Sequence, residues 1–138
     1  MSLLEVRGVK VHFPIKKGLV LERTVGAVQA VDGVDLTVER GRTLGVVGES
    51  GCGKSTLGRA ILQLEPLTAG TVTFDGHELT SLRPAALRSM RKRMQMIFQD
   101  PLASLDPRQS VASILGEPLR THKVAGRHDD RVHELLDL

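Results

Sequence analysis

One short stretch, Gly48-Glu-Ser-Gly-Cys-Gly-Lys-Ser-Thr56, carries most of the chemistry this chain advertises. Gly48, Gly53, Lys54 and Ser55 meet the spacing Gly-x-x-x-x-Gly-Lys-[Ser/Thr]. The glycines, Gly51 among them, let the backbone curl so that successive N–H groups face one anion, and Glu49, Ser50 and Cys52 add their own N–H groups to that cradle. A helix starting near Lys54 would add the positive end of its dipole. Lys54 then supplies a point charge to the β- and γ-phosphates, Ser55 a hydroxyl ligand for Mg²⁺, and Thr56 a further donor to the α-phosphate. The chemistry implied is capture of a nucleoside triphosphate, ATP with Mg²⁺. The alternative for the same residues is a glycine-rich turn with an exposed lysine. The strand pattern before them and the helix pattern after them argue against it.

Those flanking elements come from periodicity. Residues 43–47 (TLGVV) form a short apolar run bounded by turn residues, as expected of a buried parallel strand. After the loop, Leu57, Ala60, Ile61 and Leu64 fall on one helical face, with Pro66 expected to stop the helix. Upstream, residues 3–13 alternate apolar and polar around Gly8, a strand with a bulge or turn. Residues 14–26 read as an exposed loop or hairpin extension, and residues 27–40 as two strands around an Asp32-Gly33 turn. Downstream, residues 70–80 suggest a hairpin turning at Asp75-Gly76. Residues 84–93 suggest a helix opened by Pro84, with Leu87, Met90 and Met94 on one side. Residues 94–98 read as a strand, followed by a polar loop to about 109 and helices over 110–120 and 129–138. The pattern at 132–136 runs to Leu138 with no stop signal, which is expected of a truncated piece of a longer domain.

Composition narrows the class. The chain has 138 residues, 41% hydrophobic and 25% charged, which suits one globular domain. Three Phe and no Trp or Tyr argue against base-stacking recognition of nucleic acid, and a net charge of +3 does not demand a nucleic-acid partner. Cys52 is the single cysteine, so no intramolecular disulfide forms, and the expected compartment is reducing. Cys52 reads as a tolerated spacer in the loop rather than a redox switch. No signal peptide or membrane span is visible. Arg88, Arg91, Lys92 and Arg93 form a basic cluster, read as a solvated face near a helix end that could also meet a partner. The five histidines (12, 77, 122, 128, 133) show no metal-ligand spacing.

The run from Gly41 to Thr56, together with Met94-Gln-Met-Ile-Phe-Gln-Asp-Pro101 and Ser104-Leu-Asp-Pro-Arg108, resembles the ATP-binding subunit of an ABC transporter. It is similar to the branch serving dipeptide, oligopeptide, glutathione and nickel importers. The run from His12 to Gly18, Arg23-Thr24 and the segment Ala30-Val-Asp-Gly33 are similar to the second ATPase subunit of peptide importers. The resemblance implies that Gln99 is the Q-loop glutamine, reaching Mg²⁺ and the attacking water, and that its loop couples to a membrane subunit. It implies that Phe13 stacks on adenine, whereas the strand pattern alone would also allow a buried sheet aromatic. Without the resemblance, the runs ending in Asp100 and in Asp75 could each pass for the strand and acid that hold Mg²⁺. The Asp75-Gly76 turn signal and Pro101 weigh against both.

The implied fold is α/β: an antiparallel β region over about 1–40, a P-loop to Q-loop core over 41–109, and the start of a helical subdomain over 110–138. The implied protein lies at the cytoplasmic face of the membrane, with a second ATPase subunit, identical or paralogous, and permease subunits as partners. Its function would be ATP-driven peptide import. An acidic metal-holding strand, a catalytic glutamate, a switch histidine and a Leu-Ser-Gly-Gly-Gln signature are absent from residues 1–138. The chain alone is therefore expected to bind ATP with little hydrolysis. The competing readings are an ABC-type ATPase outside transport, a small P-loop kinase and a non-hydrolysing nucleotide-binding module.

Overall fold

Alternation of apolar and polar residues builds one sheet. The computed structural model describes residues 2–17, 23–100 and 104–137, and the chain divides into two compact units, Met1–Leu87 and Arg88–Leu138. In the first unit, β1 (Ser2–Lys17), β2 (Arg23–Glu39), β3 (Ala69–Phe74) and β4 (His77–Glu78) form an antiparallel sheet of order β2-β1-β3-β4. Val6, Val9 and Val11 of β1, Val31 of β2 and Val72 of β3 point inward and are buried. Helix α1 (Lys54–Ile61) covers that core with Leu57 and Ala60.

The sheet is kept in phase by bulges. Val6 pairs with Leu36 and Val9 with Val34, so two residues of β1 oppose one of β2 at the bulge expected at Gly8. The extra residue is what lets Val6 and Val9, three apart, share the buried face. The segment read as a loop or extension over 14–26 is an extension: the ladder continues to Lys17 opposite Arg23. Gly18 lies outside the described residues. The turn expected at Asp32-Gly33 is not a turn. β2 runs through it, and Gly33 uses its φ of 69° for a bulge between the Val9–Val34 and Val11–Val31 pairs. A glycine at positive φ serves either structure, which is why the dipeptide misleads.

Two apolar runs expected as strands form no ladder. Residues 43–47 and 94–98 carry no strand pairing, with Val47 and Ile97 each 93% exposed. Strand propensity needs a neighbour to supply hydrogen bonds, and neither run joins the ladder among the described residues. Helix α1 also stops earlier than Pro66. Gln63, at φ 55°, takes the left-handed position after the helix. The Leu64 N–H then donates to the Arg59 carbonyl at 2.9 Å and the Gln63 N–H to the Ala60 carbonyl at 3.0 Å. Leu64 therefore lies beyond the helix and is half exposed. The Asp75-Gly76 hairpin forms as expected, with both residues at positive φ.

Helix α2 (Pro84–Met90) begins at its proline and tightens into a 3₁₀ turn over Arg91–Arg93. Leu87, Met90 and Met94 are half-buried. In the second unit, α3 (Val111–Thr121) starts at Ser110, whose hydroxyl accepts from the Ser113 N–H at 3.2 Å. It packs against α4 (His128–Leu136), with Gly116 and Val132 buried. Pro101 and its two successors lie outside the described residues.

Candidate phosphate-binding site

The loop at 48–56 is set on the sheet by backbone, not side chains. Gly53 is the residue before α1, at φ 95°. A Cβ there would overlap the carbonyl oxygen of Ala30, and would stand 3.2 Å from its carbonyl carbon and 3.6 Å from Val31 Cγ2. Ala30 is the extra residue of a further bulge: Val11 pairs with Val31 and His12 with Gln29, leaving Ala30 without an opposite number. The bulge and the glycine fit each other, and α1 is anchored where its first turn begins.

That first turn is open. α1 has no side-chain cap and no acidic residue in its first turn. By contrast α3 is capped by Ser110, and α4 carries Asp129 and Asp130 in its first turn. The first N–H groups of a helix have no partner of their own, and the dipole favours an anion there. The first turn of α1 therefore presents the N–H groups and the dipole end that suit an anion. Lys54 points into the same loop. Its Nζ donates to the carbonyls of Gly48 at 2.7 Å and Glu49 at 2.6 Å, and lies 3.4 Å from Cys52 Sγ. Ser55 and the Cys52 thiol are exposed, and Thr56 is half-buried. Beside the loop lies a cleft of about 370 Å³ lined by Gln29, Val31, Val46, Val47, Lys54 and Leu57, among others.

Phe13 belongs to the same unit. It pairs with Val28, two positions from Ala30. With Val9 and Val11 it shares the face on which α1 packs. Phe13 is 40% exposed and Val28 54% exposed, so this is an open apolar surface rather than a buried sheet aromatic. Gln99 lies in the second unit, exposed and outside any helix or strand; the carbonyl of its neighbour Asp100 accepts from Ser104 Oγ at 2.8 Å. The residues 48–56 are therefore contiguous in the first unit, Phe13 stands on the sheet of that unit, and Gln99 belongs to the second unit.

Sequence reasoning missed β2 as the platform of the site. Ala30 carries no chemical signal, and Asp32-Gly33 reads as a turn. Asp32 instead binds across the ladder: its Oδ1 accepts from Lys10 Nζ at 2.9 Å and lies 3.1 Å from His12 Nε2. The hydrogen bonds from Lys10 and then His12 hold its carboxyl below the ordinary value.

Residues 31–138 match the family described as ABC transporter. The oligopeptide transport ATP-binding protein AppF of Bacillus subtilis is 49% identical over 138 residues, covering 98% of this chain and 42% of that protein. OppF of Escherichia coli, of the same description, is 52% identical over 121 residues, covering 87% and 36%. The glutathione import ATP-binding protein GsiA of Pectobacterium atrosepticum is 48% identical over 127 residues, covering 92% and 20%. The chain thus spans about two fifths or less of the length of these relatives. Among solved structures, the ATP-binding cassette MJ0796, as a post-hydrolysis dimer bound to ADP and Pi, superposes with a TM-score of 0.76. It is 23% identical, and the match covers 97% of this chain and 56% of that one.

Proposed function

The chain belongs to the ABC transporter family, and on that premise we propose that it carries the phosphate-binding half of an ATP site that drives peptide import across a membrane. The observation that supports this most is the uncapped first turn of α1, held by Gly53 against Ala30 with Lys54 folded into the loop before it.

The residues present fit ATP and Mg²⁺. An anion at the α1 N-terminus would receive the N–H groups that no side chain caps. Lys54 would exchange the carbonyls of Gly48 and Glu49 for phosphate oxygens, a hydrogen-bond exchange with little net reorganisation. Ser55 would hold Mg²⁺ through its hydroxyl, and Thr56 would donate to the phosphates. Gln99 would reach the metal and the attacking water. Phe13, beside Val28, would carry the adenine ring on its exposed face. Mg²⁺, when bound, would neutralise charge developing on the phosphates.

The names of AppF, OppF and GsiA support the import of peptides and glutathione-like solutes as the work of the whole protein. The dimeric MJ0796 cassettes support a second ATPase subunit as partner, with permease subunits engaged through the segment around Gln99. Such a protein works at the cytoplasmic face of the membrane. Among the described residues no helix is long and apolar enough to cross a membrane. Positioning and charge stabilisation come from several parts at once, so these 138 residues should bind ATP and turn it over slowly if at all. A phosphate-release assay on the purified chain tests this. Binding with negligible turnover is expected, and turnover equal to that of a complete transporter ATPase would contradict the division of labour proposed.

A further inference from the structure

The β1–β2 ladder thins beside the phosphate loop. His12 pairs with Gln29, Val11 with Val31 and Val9 with Val34. Ala30 therefore has no opposite number on one side of Val31, and on the other side Asp32 and Gly33 together oppose Lys10. Between these two irregularities the Val11–Val31 pair alone is in register.

A side chain takes over where the backbone pairing lapses. Asp32 Oδ1 accepts from Lys10 Nζ at 2.9 Å and lies 3.1 Å from His12 Nε2. Lys10 and His12 flank Val11 on β1, on the face opposite its buried side chain. The same two residues are held on the other edge of β1, just past the Lys10–Ala69 pair where the ladder with β3 ends. There the Thr68 N–H donates to the Lys10 carbonyl at 2.8 Å, and the His12 N–H donates to Thr68 Oγ1 at 2.9 Å. Thr68, then Lys10 with His12, then Asp32 make a continuous connection across the sheet. It ends two residues from Ala30, whose carbonyl stands where a side chain on Gly53 would begin.

We propose that Asp32 is a positioning residue for the phosphate loop. By binding Lys10 and His12 it fixes the bulge at Ala30, and through the Ala30 carbonyl it fixes Gly53 and the first turn of α1. This rests on the reading of residues 48–56 as a phosphate cradle. Asp32 touches no phosphate in this role. It lines the same cleft as Lys54, so a carboxylate acting by charge alone would repel a polyanion, and removing it would tighten binding. Removing a positioning residue does the reverse. The two roles differ in sign.

The test is calorimetric titration of Mg-ATP and of inorganic tripolyphosphate into the full chain. Asp32→Asn keeps the shape and drops the charge. It should weaken both ligands by about two- to fivefold, the scale that an exposed ion pair supplies. Glu134→Gln, which breaks an exposed pair on α4, should change neither. In a Gly53→Ala background the loss from Asp32→Asn should disappear, because the seat it acts through is already displaced. Amide hydrogen exchange reads the same connection without a ligand. The Leu57 N–H donates to the Gly53 carbonyl at 2.8 Å in the first turn of α1, and it should exchange faster in Asp32→Asn than in the wild type. Unchanged or tighter binding in Asp32→Asn, an equal loss in the Gly53→Ala background, or unchanged exchange at Leu57 would each overturn the proposal. Failure of the wild type to bind either ligand, with exchange at Leu57 still quickened by Asp32→Asn, would count against the phosphate reading and for the positioning link.

Discussion

The carbonyl of Ala30 occupies the space where any side chain on Gly53 would begin. This single close approach joins the bulge in β2 to the first turn of α1, and with it the sheet to the phosphate loop. Gly53→Ala must adopt a left-handed φ, at about 1–2 kcal/mol, and must also displace the strand. We expect lowered stability in denaturant titrations and at least roughly tenfold weaker nucleotide binding, about 1.4 kcal/mol. Gly45→Ala, with nothing within 4 Å of the added carbon, should change neither. Equal effects at the two positions would show that the contact with Ala30 is unimportant.

Phe13 offers an exposed ring on the α1 side of the sheet. Phe13→Ala should weaken ATP by an amount typical of a base–aromatic stack, about 1–3 kcal/mol. Affinity for inorganic tripolyphosphate, which has no base, should stay the same. Titrating both ligands into both proteins checks this; parallel losses would mean that Phe13 supports the fold rather than the base.

Asp32 ties β2 to β1 through Lys10 and His12. Its folded pKa is lowered, so the link contributes above the ordinary carboxylate value of 3.8 and is lost as pH falls through the lower folded value. Melting temperature followed from neutral pH to below 3.8 should fall less steeply on the acid side in Asp32→Asn than in the wild type. High salt should shrink the difference, since the groups are exposed. Identical acid limbs would exclude a role for the pair.

Lys123 follows α3 at φ 50°. The Val124 N–H donates to the Leu119 carbonyl at 2.9 Å, closing the same C-terminal motif seen after α1. Glycine takes that conformation without a Cβ penalty, so Lys123→Gly should raise stability by about 0.5–1 kcal/mol. A loss of stability on thermal unfolding would contradict the assignment of strain to this position.

The legible features were those encoded by neighbours in sequence. The loop at 48–56, the start of α2 at Pro84, the Asp75-Gly76 hairpin and the bulge at Gly8 each depend on a few adjacent residues. What could not be read depends on distant ones. Ala30 matters only because Gly53 lies over it, and no property of alanine announces that. Residues 43–47 have strand composition, but a strand also needs a partner, and composition does not say whether one is at hand. Pro66 marks a place where a helix cannot continue. It does not exclude an earlier stop, and Gln63 provides one.

The central claim is that Lys54, held in the loop by Gly48 and Glu49, is the charge that receives the nucleotide's phosphates. Calorimetric titration of Mg-ATP into the wild-type chain and into Lys54→Ala tests it most directly. Saturable binding by the wild type and its loss in the variant is the predicted result. Unchanged affinity in a folded Lys54→Ala protein would contradict it.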